Sequence, residues 1–479
     1  MSTPLGRREF LALVPAVLAA PTVLGCANRS QSSATPIATT PPTTPVVVFP
    51  KDTPRIAIIG CGGRGADNLS DLIGAGANVV AICDVTTSMR EAALARPLAA
   101  RSFTDMRELF ARRHELALDG VLIATPDHTH AFPTALALRA GLAVYCEKPL
   151  THTMEESKRI GELAAIARVP TQMGTQIHAT ENYRRVVELI TSGAIGPVTS
   201  CDCWVNKGWC CGETGPVTTP PEGFDYDLWL GGAQNDPYIK DIQPANWRKY
   251  WEYGTGTLGD MACHMMDLPV WALGLDRARL GCVEIRAEVD RVDSVGCPEW
   301  TEASWAIPTR DASGASIDPL ILRWFDNGRI SPTAQEMGAR DKVSYHDRFN
   351  MVFQGSKGFL WANYGEWLIT PSAVASEVVV PSPSIAASPG HHREWLDAIR
   401  AWRKGIRTAA DAPLCAFTRS TVLNELVLSG TVAARAQRPV QYDFNTRAFA
   451  GGDPIASWHP APREGWSLSN KDLDRVLRQ

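Results

Sequence analysis

Beyond residue 53 the chain alternates short continuous apolar runs with amphipathic stretches. "PRIAIIG" leads into the helix-like "ADNLSDLI", and "ANVVAICDV" closes at Asp84. "FTDMRELFARRHE" then has helical spacing, "LDGVLIATP" stops at Thr125-Pro126, "HTHAFPTALALRAG" is helical again, and "LAVYCEKP" ends at Lys148-Pro149. Apolar runs without polar alternation predict strands buried on both faces. Strands alternating with helices predict a parallel sheet joined by right-handed crossovers. Ligands of such sheets collect beyond the C-terminal strand ends. Gly60, Asp84, Thr125 and Glu147-Lys148-Pro149 all stand at such ends, so four strands deliver them to one crevice.

The first of these ends is Gly60-x-Gly62-x-x-Gly65. The first glycine permits a tight turn, the second lets backbone approach a pyrophosphate, and the third allows close packing of helix on strand, with phosphate at the helix N-terminus. Asp84 follows Gly60 by 24 positions, close to the spacing of a carboxylate that binds the adenosine ribose. A carboxylate there repels the extra phosphate of NADP and favours NAD, while Arg64 leaves NADP open.

At 479 residues the chain exceeds one simple core, so two domains are expected. A net charge of −4, with neither basic excess nor acidic tail, gives no sign of a nucleic-acid partner. Residues 1–26 read as an export signal. The pair Arg7-Arg8 precedes an apolar run too short and proline-broken to span a bilayer, the pattern of twin-arginine export of folded proteins. "VLGC" resembles a lipobox with Cys26 as the lipidated residue, although Val23 stands where leucine is usual; simple signal cleavage is the alternative. Residues 27–52, rich in Ser, Thr and Pro, read as a tether. The expected location is therefore the periplasm or the cell envelope, with membrane contact only through Cys26.

Of the cysteines, Cys201, Cys203, Cys210 and Cys211 cluster without the spaced pairs and histidines of a zinc site, and folding before export implies a reducing compartment. No metal is expected, and most cysteines read as free and buried. Adjacent His391 and His392 face different directions on a helix, which suits a helix start better than a metal. Trp204, Trp209, Trp229, Trp247 and Trp251 read first as core and second as a sugar-stacking surface.

The glycine motif, "TPDHTH" (Thr125 to His130), "EKP" (Glu147 to Pro149), "RRVVELITSGAIGPV" and "GTGTLGDMACHMMD" (Gly254 to Asp267) together resemble the Gfo/Idh/MocA family (glucose–fructose oxidoreductase, inositol dehydrogenase and relatives) over roughly residues 53 to 443. The resemblance implies an α/β architecture. A doubly wound parallel Rossmann domain would span 53–172, a C-terminal α+β domain with a large, mostly antiparallel open sheet 173–445, and an extension 446–479. The open sheet often forms an oligomer interface in the family, so a homo-oligomer is expected. By position Lys148 matches the family lysine near the nicotinamide, and Asp260 with His264 matches its Asp-x-x-x-His pair, with His264 as general acid/base. Four-residue spacing puts both on one helix face. A nearby carboxylate raises the histidine while Lys148 and burial lower it, which is expected to leave it titrating near neutrality. Thr125, Pro126 and His130 would lie along the cofactor and Glu147 would contact its ribose. His178, Tyr183, Asn206 and Trp247 are candidate substrate contacts, with Trp209 a further one. Arg184 could equally face the crevice or the surface.

The implied activity is NAD(P)-dependent oxidation of a sugar, cyclitol or sugar derivative, with Lys148 steadying the alkoxide. Outside the cytoplasm no pool of free cofactor exists, so an exported member should keep its cofactor and return it to the starting state. A redox-neutral NAD-dependent glycoside hydrolase is the alternative, against which the Asp260–His264 match weighs. A non-catalytic sugar-binding protein would have no need of Lys148, Asp260 and His264 together.

Overall fold

The computed structural model describes residues 49–311, 313–456 and 461–479. The Arg7-Arg8 signal, Cys26 and all but the last four residues of the tether lie outside the described residues.

Six short strands build the first sheet: β1 (Arg55–Ile59), β2 (Asn78–Cys83), β3 (Arg101–Phe103), β4 (Gly120–Ile123), β5 (Ala143–Cys146) and β6 (Thr171–Met173). All pairs are parallel, in the order β3-β2-β1-β4-β5-β6. β4 and β5 are buried along their whole length, as expected of strands covered on both faces. Helices α1 (Arg64–Gly74), α2 (Thr87–Leu94), α3 (Met106–Ala111), α4 (Ala131–Arg139) and α5 (Met154–Ala167) make the crossovers. One cover comes from far along the chain: helix His391–Arg403 buries Trp395, Leu396 and Ile399 against Ile56, Ile58, Leu122 and Tyr145. Its first residues are His391 and His392, whose Nε2 atoms bond Met173 O (3.0 Å) and Asn68 Oδ1 (2.9 Å). Among the described residues no group of three or more His, Cys, Asp or Glu is placed to hold a metal.

Beyond α6 (Glu181–Thr191) the chain enters β7 (Val198–Val205), and then an insert that contains the short α7 (Tyr226–Leu230). The insert has its own small core of Trp229, Leu230, Tyr238, Ile242, Trp247 and Tyr253, so these tryptophans are packing residues. It also bonds the corner after β2: Asp225 N donates to Val85 O at 3.0 Å and Thr87 N to Gly223 O at 2.8 Å. α8 (Gly256–Met265) and α9 (Asp267–Ala272) lead to β8 (Cys282–Val289), β9 (Thr301–Arg310), β10 (Ser316–Asp326), β11 (Met351–Gly355), β12 (Phe359–Ala362), β13 (Trp367–Thr370), β14 (Val440–Asp443) and β15 (Ala448–Phe449).

With β7 these form a nine-stranded sheet, β13-β12-β11-β7-β10-β9-β8-β14-β15, antiparallel except at β7–β10. β9 alternates buried and half-buried positions over its first seven residues, the signature of one packed face. The packed face meets helix Phe417–Ala436, which is buried over most of its length, and Trp305 fixes it by donating to Leu426 O (2.9 Å) and Ser429 Oγ (3.0 Å). The same helix packs on α5 and α8 and so ties the two sheets together. The C-terminal segment returns to the first sheet's helices: Arg139 bonds Asp474 at 2.9 Å and Arg113 bonds Leu477 O at 2.9 Å.

Candidate active site

Lys148 follows β5 directly, and its loop is pinned on both sides. Leu150 N donates to Asn424 Oδ1 (2.9 Å), and Pro149 O lies 2.7 Å from His130 Nδ1. α5 then starts on a capping box, Thr153 accepting from Glu156 N while the Glu156 carboxylate receives Thr153 N. The lysine side chain, only 13% exposed, crosses to α8 and donates from Nζ to Asp260 Oδ1 and to Asp260 O, both at 2.7 Å.

Asp260 collects more than this one charge. Arg248 Nε donates to Oδ1 at 3.1 Å, Lys207 Nζ to Oδ2 at 3.0 Å and Trp209 Nε1 to Oδ2 at 2.7 Å. Three cations thus face one carboxylate that is 5% exposed. Burial alone would raise the Asp260 carboxyl, but Lys148, Arg248 and Lys207 hold it far below the usual range. Burial works on Lys148 too, and Asp260 outweighs it, so the ammonium is held above its ordinary value.

The glycine turn at the end of β1 is shaped for close approach. Gly60 has φ +86°, and a Cβ there would lie 2.5 Å from Ala124 O; one at Gly65 would lie 2.0 Å from Gly60 O. Asp84 braces the turn, accepting from Cys61 N (2.7 Å) on Oδ2 and from Thr86 N (2.8 Å) on Oδ1, and each oxygen retains capacity for a second bond. Thr125 Oγ1, at the end of β4, is buried without a partner among the described residues.

Residues 54–175 match the family profile described as "Oxidoreductase family, NAD-binding Rossmann fold", and residues 192–307 match "Oxidoreductase family, C-terminal alpha/beta domain". The chain belongs to the Gfo/Idh/MocA oxidoreductase family. Curated relatives include the inositol 2-dehydrogenases of Leifsonia xyli (35% identical over 145 residues, 30% of this chain and 42% of that one) and of Corynebacterium glutamicum strain R (34% over 145 residues, 30% and 42%). The chain thus spans less than half the length of these relatives. Among solved structures, an NAD-binding protein from Listeria innocua superposes with a TM-score of 0.56 at 17% identity, covering 82% of this chain and 98% of that one. The WlbA dehydrogenase from Chromobacterium violaceum, solved with NADH and UDP-GlcNAcA, gives 0.53 at 19% identity, covering 83% and 98%. At these identities the likeness is one of fold.

The cradle fits the family's NAD. Gly60 and Gly65 keep the turn packed against the backbone oxygens of Ala124 and Gly60, so that the start of α1 could present its N–H groups to a pyrophosphate, Asp84 closes the neighbouring strand where a ribose carboxylate would be needed, and the orphaned Thr125 hydroxyl offers a donor at the end of β4. Gly65→Ala is therefore expected to yield a folded protein that loses nearly all its NAD, read as nicotinamide released on denaturation. Arg64 turns away from Asp84 and pairs with Glu147 at 3.3 Å, on the far side of β1, so it does not serve an adenosine 2′-phosphate. The cation beside Asp84 is Arg90, which donates to Asp84 O and to Thr87 Oγ1 (3.0 Å) and gives no signal in the family motif.

Other expected site residues are corrected by their surroundings. Glu147 is buried, with Oε1 receiving Asn68 (2.8 Å), Gln176 (2.7 Å) and Arg64, and acts as a strut between α1, β5 and the β6 loop in place of an open ribose ligand. His130 does not line the cofactor cleft; its buried ring lies between Pro149 O and Thr125 O, 2.7 Å from each, and joins the ends of β4 and β5. His178 is buried with Nδ1 on Asp267 (2.7 Å) and its ring stacked on Trp271 at 3.9 Å between centroids, and its Nε2 has no hydrogen-bond partner among the described residues. Tyr183 is fully buried and donates to His264 O at 3.0 Å, and buried Arg184 holds His178 O at 2.7 Å. Asn206 is exposed at the end of β7, and Trp247 is buried in the insert core with its face under Arg248.

Asp260 and His264 do share α8, but no Asp260 oxygen bonds the imidazole. His264 Nδ1 is buried without a partner among the described residues. Burial and Lys148 push the ring down to about 3, with Lys207 and Arg64 adding to them and Asp260 opposing. The expectation of titration near neutrality is thus corrected: Asp260 is already occupied by cations. The group that burial and Asp260 bring to about 7, against the pull of Arg248 and Lys148, is Asp127, buried and bonded to Thr255 Oγ1 at 2.9 Å. A carboxyl raised on folding binds its proton more tightly folded than unfolded, so it costs stability as pH rises from about 4 to about 7. Asp127→Asn is expected to gain on the native protein over that window, by about 4 kcal/mol at most, in paired thermal melts at pH 4.5 and 8.

Proposed function

We propose that the protein oxidises a hydroxyl of a sugar, cyclitol or sugar derivative, and that its NAD stays bound and is returned to its starting state. The observation that carries this reading is the reacting corner itself. A buried ammonium, Lys148, is held charged by Asp260 at a strand end of the NAD-binding sheet, with the unpaired imidazole of His264 on the same helix as Asp260. Bound nicotinamide supplies the acceptor for the two electrons of the C–H bond. His264, neutral at physiological pH, receives the hydroxyl proton on a ring nitrogen, and Lys148 Nζ stabilises the negative charge that develops on the oxygen. The loop bonds of Leu150 and Pro149 fix Lys148 before substrate arrives, so little reorganisation is needed at the moment of reaction.

Cofactor recycling rests on location. Arg7-Arg8 and Cys26 support export and lipid anchoring of the mature protein, where free NAD is scarce. The insert supports retention, since Gly223 and Asp225 bond the corner next to Asp84. Purified protein is expected to release close to one NAD per chain on denaturation. Mixed with nitrophenyl glycosides and free sugars, it should change the absorbance of its bound cofactor without steady accumulation of free NADH. Lack of bound cofactor together with failure to bind added NAD would overturn the reading. Aglycone release with no net cofactor change would favour the hydrolase.

A further inference from the structure

The reacting corner carries more positive charge than its carboxylate can balance. Lys148, Lys207 and Arg248 converge on Asp260, and the remaining acid of the cluster, Asp127, is only partly ionised at neutral pH. Two of these cations are also incompletely used. Arg248 engages Asp260 only through Nε; its two terminal nitrogens have no partner among the described residues. The guanidinium is held in place by aromatic faces, 4.1 Å from the Trp247 ring and 5.3 Å from the Trp209 ring. Lys207 is 40% exposed, lies 5.0 Å from the Trp209 ring, and spends its bonds on Asp260 and the Met261 sulfur. A guanidinium fork with both ends open, fixed in a partly desolvated cleft, matches a carboxylate or phosphate.

Neither cation belongs to the cofactor cradle. A pyrophosphate would be held at the glycine turn after β1, whereas Lys207 follows β7 and Arg248 lies in the insert. Both are tied to the oxygens of the carboxylate that holds Lys148. Bonded to one oxygen at 2.7 and 3.1 Å, Lys148 Nζ and Arg248 Nε are at most about 6 Å apart. An anionic group on the terminal nitrogens of Arg248 is thus within reach of a single sugar or polyol unit whose hydroxyl faces Lys148.

We propose that the substrate is an acidic monosaccharide or polyol, a sugar carboxylate or sugar phosphate, whose anionic group is bound by Lys207 and the open fork of Arg248. This rests on the oxidoreductase reading above and names its substrate class. It also removes a difficulty of that reading. A base held down to about 3 is a poor proton acceptor, and what holds it there, besides burial, is uncompensated positive charge. A substrate anion on Lys207 and Arg248 supplies the missing negative charge and restores the proton affinity of His264, so the acid–base group is completed only when the right substrate is bound.

The test uses the NAD-loaded full chain and paired sugars: glucose, glucuronate and glucose 6-phosphate, with galactose and galacturonate as a second set. Reduction of bound cofactor in a single turnover is expected at concentrations about 10- to 100-fold lower for an acidic member than for its neutral partner. Glucuronate against glucose 6-phosphate separates a carboxylate from a phosphate site. Lys207→Met, at a part-exposed position, should reduce the preference to a few-fold, and Arg248→Lys should weaken it by losing the fork while keeping the charge. Equal or better use of the neutral sugars by the native protein overturns the inference and leaves the oxidoreductase reading standing. If no sugar reduces the cofactor, calorimetric titration with the same panel decides. Acid-selective binding that Lys207→Met abolishes upholds the site and places the failure on hydride transfer; unselective binding, or none, overturns the site.

Discussion

Replacing Lys148 by alanine is expected to lower turnover by about 10²- to 10⁴-fold while the protein stays folded and keeps its NAD. The three outcomes separate because the residues are separate. The residues that would cradle NAD, Gly60, Gly65 and Asp84, do not touch the lysine, and Asp260 keeps Arg248, Lys207 and Trp209 when Lys148 is removed. Only the charge at the reacting oxygen is lost. Losing it also relieves His264 of the strongest cation that presses on it, so the ring should titrate higher in the variant, a change visible by NMR of the imidazole. Lys148→Arg keeps the charge but brings a planar head into a site only 13% exposed and bonded twice to Asp260, and should recover little activity. Turnover near that of the native protein in Lys148→Ala would take the residue out of the mechanism.

The second large effect is on stability. Asp260→Ala leaves a buried ammonium facing Arg248 and Lys207 with no carboxylate bonded to it and only the partly ionised Asp127 nearby, and unpartnering a buried charge costs about 3–5 kcal/mol. Asp260→Asn retains the shape and one acceptor and should cost less. Urea unfolding followed by tryptophan fluorescence reads the difference as a shift in midpoint at unchanged slope. The sign of the pH dependence follows from the two partners. Asp260, depressed on folding, adds stability above the unfolded carboxylate range and loses it as pH falls through its lower folded value; Lys148, raised on folding, adds stability below the unfolded lysine range and loses it as pH climbs through its higher folded value. The penalty of Asp260→Ala is therefore expected to shrink at strongly acidic or alkaline pH, and to fall from about pH 4 to about pH 7 as Asp127, relieved of Asp260, ionises beside the cations. A variant as stable as the native protein at pH 7 would contradict the cluster described here.

The first domain was legible because its signals are local. Each strand is one apolar run, the glycine turn lies within six residues, and Lys148 is fixed by its place at a strand end. The surroundings of Asp260 were not legible, because its partners come from three separate places. Lys148 is 112 positions away, Lys207 is 53 away in a loop-rich insert with no period, and Arg248 is 12 away across a turn that no helical spacing describes. The same non-locality misplaced His264, since spacing of four fixes a shared helix face but not whether the carboxylate is already occupied. His178 and Tyr183 stood in sequence next to a crevice strand, yet their partners Asp267 and His264 lie 89 and 81 positions on, and these turn both side chains inward. One signal was available for the missed cations: Lys207 stands two residues past the C-terminal end of β7, a strand end that, like the others, faces chemistry.

The most direct test of the whole account is the absorbance of the NAD-loaded protein in the reduced-nicotinamide band, followed without added cofactor while glucuronate or another acidic sugar is mixed in. A rise in that band with one reduced nicotinamide per chain, absent in Lys148→Ala although that variant carries the same NAD, is the expected result. A protein that carries NAD but shows no change in that band with any sugar, or the same change in Lys148→Ala as in the native chain, would contradict it.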